Sequence, residues 1–173
     1  MHAIVVYESM FGNTRAIADQ IAAGLSKHGA AQVFEVGEAP AAPVADLLVV
    51  GAPTHAFGLS KPTTRSNAAD MTDHALVSPG DGAREWLAAM PEGSGQAATF
   101  GTRVSGPLGS AASAIGRRLR SKGRHLICDP EDFFVAARGV EVDEALKAGE
   151  LERARAWGDR LGRLATHHSD AAV

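Results

Sequence analysis

Val5-Val6-Tyr7-Glu8-Ser9-Met10-Phe11-Gly12-Asn13-Thr14-Arg15-Ala16-Ile17-Ala18, residues 5–18, is the stretch on which the reading of this chain turns. It continues an unbroken run of β-formers from Ile4 to Tyr7, the pattern of a strand covered on both faces. Thr14, Ile17, Ala18, Ile21 and Leu25 then recur at helical spacing, and Gly29 supplies a stop. Ser9 to Asn13 is therefore a short connection from a buried strand into a helix. In a parallel sheet such a connection lies at the carboxyl edge, where open α/β sheets take ligands. The first-turn amides of a helix have no intrahelical acceptor, and they favour an anion at its N-terminus. Ser9 and Thr14 add hydroxyl donors, and Gly12 lets the backbone approach closely. A phosphate is the anion this chemistry suits. The loop has neither the Gly-Lys-Ser/Thr ending of a P-loop nor the three-glycine dinucleotide spacing. A near match to the latter, Gly93-Ser94-Gly95, precedes a strand instead of following one and reads as a turn.

Outward from this stretch, short apolar runs alternate with helix-period segments. Val33 to Val36 alternates as an edge strand does, and Pro40 and Pro43 punctuate the loop after it. Leu47 to Val50 is a second fully apolar strand, followed by a long loop from Gly51 to about Asp73 with little periodicity. Ala83 to Met90 reads as a short helix, and Ala97 to Phe100 as a strand. Leu108, Ala112, Ile115 and Leu119 mark one face of a helix ended by Gly123. His125 to Cys128 and Phe133 to Ala136 form one strand region interrupted by Asp129 to Asp132. Leu151, Ala154, Trp157, Leu161 and Leu164 mark a final helix. Such alternation implies a parallel sheet with helices on both faces and right-handed crossovers. One domain over residues 1–166 is expected, with 167–173 as a flexible tail.

Composition excludes several classes. The 173 residues are 45% hydrophobic and 5% aromatic, so the core is aliphatic, and the net charge of −3 argues against a nucleic-acid binder. A single cysteine, Cys128, rules out an internal disulfide, and no Cys/His cluster offers a metal site. No run of about 20 apolar residues is available for a membrane span. No secretory leader is expected before the first strand, so the expected compartment is the cytoplasm. The acidic stretches 129–132 and 141–144 lack calcium-loop spacing. The basic run from Arg117 to Arg124 reads as a helix face that is either solvated or turned to an acidic partner.

Val5-Val6-Tyr7-x-Ser9-x-x-Gly12-x-Thr14-x-x-x-Ala18-x-x-Ile21 resembles, without a gap, the N-terminal signature of flavodoxins. The resemblance extends over about residues 3–165. It implies a flavodoxin-like three-layer α/β/α sandwich with a five-stranded parallel sheet in the order 2-1-3-4-5. It also implies FMN as cofactor, with Ser9, Met10, Phe11, Gly12, Asn13 and Thr14 wrapping its phosphate. Pro53, Thr54, His55, Ala56, Phe57 and Gly58 follow the second buried strand and resemble the loop that covers one face of the flavin ring. His55 and Phe57 are its candidate stacking residues. Phe100, Gly101, Thr102 and Arg103 resemble by position the third flavin loop, although the acidic residue and tyrosine common there are missing. Lys61, Arg65, Arg103 and a protonated His55 would give the ring a less acidic surround than many members have, which is expected to raise the potential for full reduction. The role implied is electron transfer from a reductase to an acceptor, without catalytic side chains of its own. The rivals are an FMN-dependent NAD(P)H:quinone-type oxidoreductase and a binding module of this fold that has lost FMN.

Overall fold

The computed structural model describes residues 1–55, 58–107, 109–136 and 145–170, with side chains followed to residue 166. Strands β1 (His2–Tyr7), β2 (Ala30–Glu35), β3 (Leu47–Pro53), β4 (Gln96–Val104), β5 (His125–Leu126) and β6 (Glu131–Val135) form one sheet. All pairings are parallel and run in the order β2-β1-β3-β4-β5, with β6 also on β4. The expected order 2-1-3-4-5 is what the chain adopts. β5 and β6 occupy the fifth position in succession, separated at residues 127–130. The strand restarts at Glu131, two residues earlier than the sequence suggests.

The apolar runs of β1 and β3 are continuous because successive residues feed opposite layers. Val5 and Val49 pack under α1 (Asn13–Leu25) and the C-terminal helix, while Val6 and Val50 pack on the other side of the sheet. That second layer holds α3 (Ala83–Ala89) and α4 (Ala111–Ser121), with Leu87, Met90, Ile115 and Leu119 fully buried there, and α2 (Pro62–Ala69) is tied to α3 by the Arg65–Glu85 ion pair. The C-terminal helix α5 (Glu150–Asp170) lies beside α1, and its backbone stays helical past residue 166. Helix α2 is a finding. Its eight residues, Pro-Thr-Thr-Arg-Ser-Asn-Ala-Ala, bury only Arg65 and Ala68, so no apolar period announced it in the segment read as loop. Pro62 at the first position and the Lys61 N–H donated to the Thr64 hydroxyl start the helix instead.

α1 and α5 cross closely at glycines. A Cβ on Gly24 would lie 2.2 Å from the Arg155 carbonyl oxygen, and one on Gly158 would lie 2.1 Å from that of Ile21. His28 Nε2 and Asp159 Oδ1, 2.7 Å apart, tie the same pair at its end. Cys128 packs against this layer, and burial pushes its thiol up to about 11, which makes it a poor nucleophile. Among the described residues no helix is long and apolar enough to cross a membrane, and no three His, Cys, Asp or Glu side chains gather as a metal site.

Candidate functional site

The chain leaving β1 enters α1 on one face of the sheet, and the chain leaving β3 goes by way of α2 to α3 on the other. The carboxyl edge between β1 and β3 is thus a topological switch point, where the two connections part and leave a crevice. Three loops meet there.

The first loop follows β1. Ser9, Met10, Gly12 and Thr14 are buried, and Phe11 and Asn13 half-buried. Gly12 N–H donates to Ser9 Oγ at 3.0 Å, and Gly12 adopts φ 92°, a left-handed conformation that a side chain resists. It also leaves α1 without a side-chain cap, so no side chain competes for the amides of residues 13–15. Ser9 Oγ spends only its acceptor capacity on Gly12 and keeps its proton to donate. Thr14 Oγ1 shares a 2.8 Å hydrogen bond with Thr102 Oγ1. Asn13 Oδ1 is buried and has no hydrogen-bond partner. A buried acceptor left alone is costly. This orphan, the uncapped helix start and the glycine turn together fit a ligand that carries both an anionic tail and hydroxyl donors.

The second and third loops lock together. Thr54 N–H donates to the Thr102 carbonyl at 2.8 Å, and Thr54 Oγ1 accepts from the Ala111 N–H that opens α4 at 3.0 Å. Thr102 therefore bonds to both other loops. His55 and Gly58 exchange two backbone hydrogen bonds, 2.8 and 2.9 Å, which close the second loop on itself. Ala56 and Phe57 lie outside the described residues, as does Leu108. Pro53, Thr54, His55 and Gly58 are half-buried at the edge.

Two of the residues read from sequence sit differently. Phe100 is fully buried, its ring beneath Gly51 and edge-on to Phe133 at 6.4 Å, so it belongs to the core under the site. Arg103 is held sideways by Asp132, 3.4 Å away, and by the Gly106 carbonyl. Arg65 is likewise buried in an ion pair with Glu85 at 3.1 Å. Of Lys61, Arg65 and Arg103, the last two are thus paired with carboxylates, and this edge is less positive than a count of residues suggests.

Several residues at this edge were missed by sequence reasoning. Ser78 Oγ accepts the Ser9 N–H at 3.0 Å, and Ser78 N–H donates to the Ser9 carbonyl at 2.8 Å. Val77 N–H donates to Met10 O at 3.0 Å, so residues 77–78 brace the first loop from a distance in sequence that no local pattern reveals. Glu8 is fully buried. It accepts from the Ser60 hydroxyl and from the Ala83 N–H at 2.8 Å, and Arg65 donates to Ser60 Oγ at 3.0 Å. Burial pushes the Glu8 carboxyl up, against those hydrogen bonds and the neighbouring Arg65. A side chain on Gly82 would strike it at 2.7 Å. Glu8, Ser60, Arg65 and Glu85 thus pin the segment after the second loop to the end of β1. The one sign of this in the sequence is a carboxylate placed directly after a buried strand.

The flavodoxin family model matches residues 5–158 of the chain. The chain belongs to the flavodoxin family. Solved structures agree on the fold. A flavodoxin from the domain Archaea is 21% identical, with 96% of this chain and 100% of that one covered at TM-score 0.64. Oxidised flavodoxin 1 from Bacillus cereus is 20% identical, with 97% and 99% covered at TM-score 0.65. Rubredoxin oxygen:oxidoreductase from Desulfovibrio gigas, 14% identical, matches 96% of this chain but only 36% of its own, at TM-score 0.63. No curated protein sequence matches.

Proposed function

We propose that the chain binds FMN at the switch-point edge and carries electrons from a reductase to an acceptor in the cytoplasm. The single observation that carries this is the first loop: an uncapped α1 start, Gly12 at φ 92° and the unpartnered Asn13 Oδ1. Family membership, from a match that spans all three loops, supports the same reading. Residues 13–15 present amides to the phosphate, with the Ser9 and Thr14 hydroxyls as donors, and the unsatisfied Asn13 acceptor suits a ribityl hydroxyl. His55 and its loop cover the ring, and the Glu8–Ser60–Arg65 network holds that loop against β1. Bound flavin supplies the redox chemistry, and the protein supplies position, water exclusion and electrostatics. Among the described residues no side chain at the edge is arranged as a nucleophile with its base, an arrangement that a carrier does not need.

The test is a visible spectrum of the purified chain incubated with FMN and then desalted, followed by NADPH addition. A carrier keeps the flavin bands and oxidises NADPH only after a reductase is added. Steady oxidation by the chain alone would instead show an enzyme, and a chain that stays colourless would show a module without flavin.

A further inference from the structure

The α3–α4 face carries positive charge that no carboxylate neutralises among the described residues. Arg84 on α3 and Arg117, Arg118, Arg120 and Lys122 on or beside α4 form no ion pair there, whereas Arg65, Arg103, Arg153, Arg160 and Arg163 each do. Like charges are also held close together. Arg118 gives up its proton more readily than an ordinary arginine, first from partial burial and then from the charges of Arg84 and Arg117. A fold that gathers cations against their mutual repulsion loses some stability by doing so, and a ligand of opposite sign relieves it.

The cluster has a defined place. Arg84 Nε and Nη2 donate to the Ser60 and Leu59 carbonyls at 2.7 and 2.8 Å, so its guanidinium is fixed against the end of the second loop. A Cβ on Gly58 would touch Ala114 Cβ at 3.8 Å, and Arg118 Nη1 donates to the Ala114 carbonyl at 3.3 Å. The guanidiniums of Arg84 and Arg118 thus border the loop that covers the proposed flavin, one helical turn from its contact with α4. Arg117 and Arg120 are exposed on the same helix, and Lys122 reaches back to the Ala88 carbonyl at 3.3 Å.

We propose that the α3–α4 face is a docking surface for the acidic face of a partner protein that exchanges electrons with the chain across the adjoining second loop. The electron exchange rests on the flavin reading above; the docking does not. An acidic protein fits better than a nucleic acid. α4 is about 16 Å long, the size of a local protein contact. Two of the guanidiniums are already held by backbone carbonyls, which lowers the ordering cost of a contact. Charges of this kind steer encounter and make binding depend on salt.

The probe is an acidic plant-type [2Fe–2S] ferredoxin, with basic cytochrome c and a short DNA duplex alongside. Affinity is measured by surface plasmon resonance on the FMN-incubated chain, and the footprint by hydrogen exchange. Ferredoxin is expected to bind, with protection over 84–89 and 111–121, and to weaken at least ~10-fold between about 20 and 200 mM salt. Arg117→Glu/Arg120→Glu is expected to weaken it at least ~10-fold, and Arg117→Gln/Arg120→Gln less. These exposed positions leave the thermal midpoint in place, which separates lost docking from lost folding. Absence of ferredoxin binding, a footprint elsewhere, unchanged affinity in the reversal variant, or tighter binding to cytochrome c or DNA would each overturn the proposal. A colourless chain that still binds ferredoxin through this face would sink the flavin reading and leave the docking surface standing.

Discussion

Thr14 and Glu8 sit six residues apart and do different work. Thr14 is almost fully buried, yet its hydroxyl is shared with Thr102, so one of the two protons is available to a ligand. Thr14→Val removes that donor at little cost in shape. The expected result is FMN binding weaker by about tenfold, as loss of one hydrogen bond to a charged group implies, read by flavin fluorescence titration. Glu8 governs stability with pH. Its carboxyl is held above the ordinary 4.5, so the folded chain binds that proton more tightly than the unfolded chain. The stabilisation is full below the unfolded value and is lost as pH rises through the folded one. Urea unfolding across pH is therefore expected to show wild type at its best relative to Glu8→Gln below pH 4.5, with the difference falling as pH increases. A difference that grows with pH would show that the carboxylate is the favoured form. Neither partner of these residues was legible in sequence. Thr102 and Ser60 are ordinary polar residues until the sheet brings them to the same edge, whereas Ser9, Gly12 and Thr14 announce themselves by following a buried strand.

At the scale of elements, apolar period decided what could be seen. β1, β3, α1 and α4 each have a long buried run or stripe, and the sequence places all four. α2 buries two side chains and has no stripe, so it was invisible; a proline and a threonine cap start it. The second loop owes its place to charge and hydroxyl contacts with Glu8, Arg65 and Arg84, which link segments far apart in the chain. The α1–α5 crossing makes the sharpest prediction at this scale. Gly158→Ala would put a methyl 2.1 Å from a backbone carbonyl, where no rotamer can relieve it. The expected loss is about 3 kcal/mol, seen as a fall of about 6–12 °C in the thermal midpoint. An unchanged midpoint would show that the helices are not packed this closely.

For the whole molecule, alternating apolar strands and helices point to a parallel sheet, and the strand order puts the first and second loops on either side of one crevice. That much follows from local pattern and handedness. The electrostatic surround does not. Lys61, Arg65 and Arg103 look alike in sequence, but folding gives Arg65 and Arg103 carboxylate partners while leaving the α3–α4 cations without them. The account depends on the start of α1 acting as a phosphate cradle. The most direct measurement compares FMN with riboflavin, which differs only by that phosphate, in parallel fluorescence-quenching titrations. Several charge-assisted hydrogen bonds imply FMN tighter by at least ~100-fold. Equal affinities for the two, or binding of neither, would contradict it.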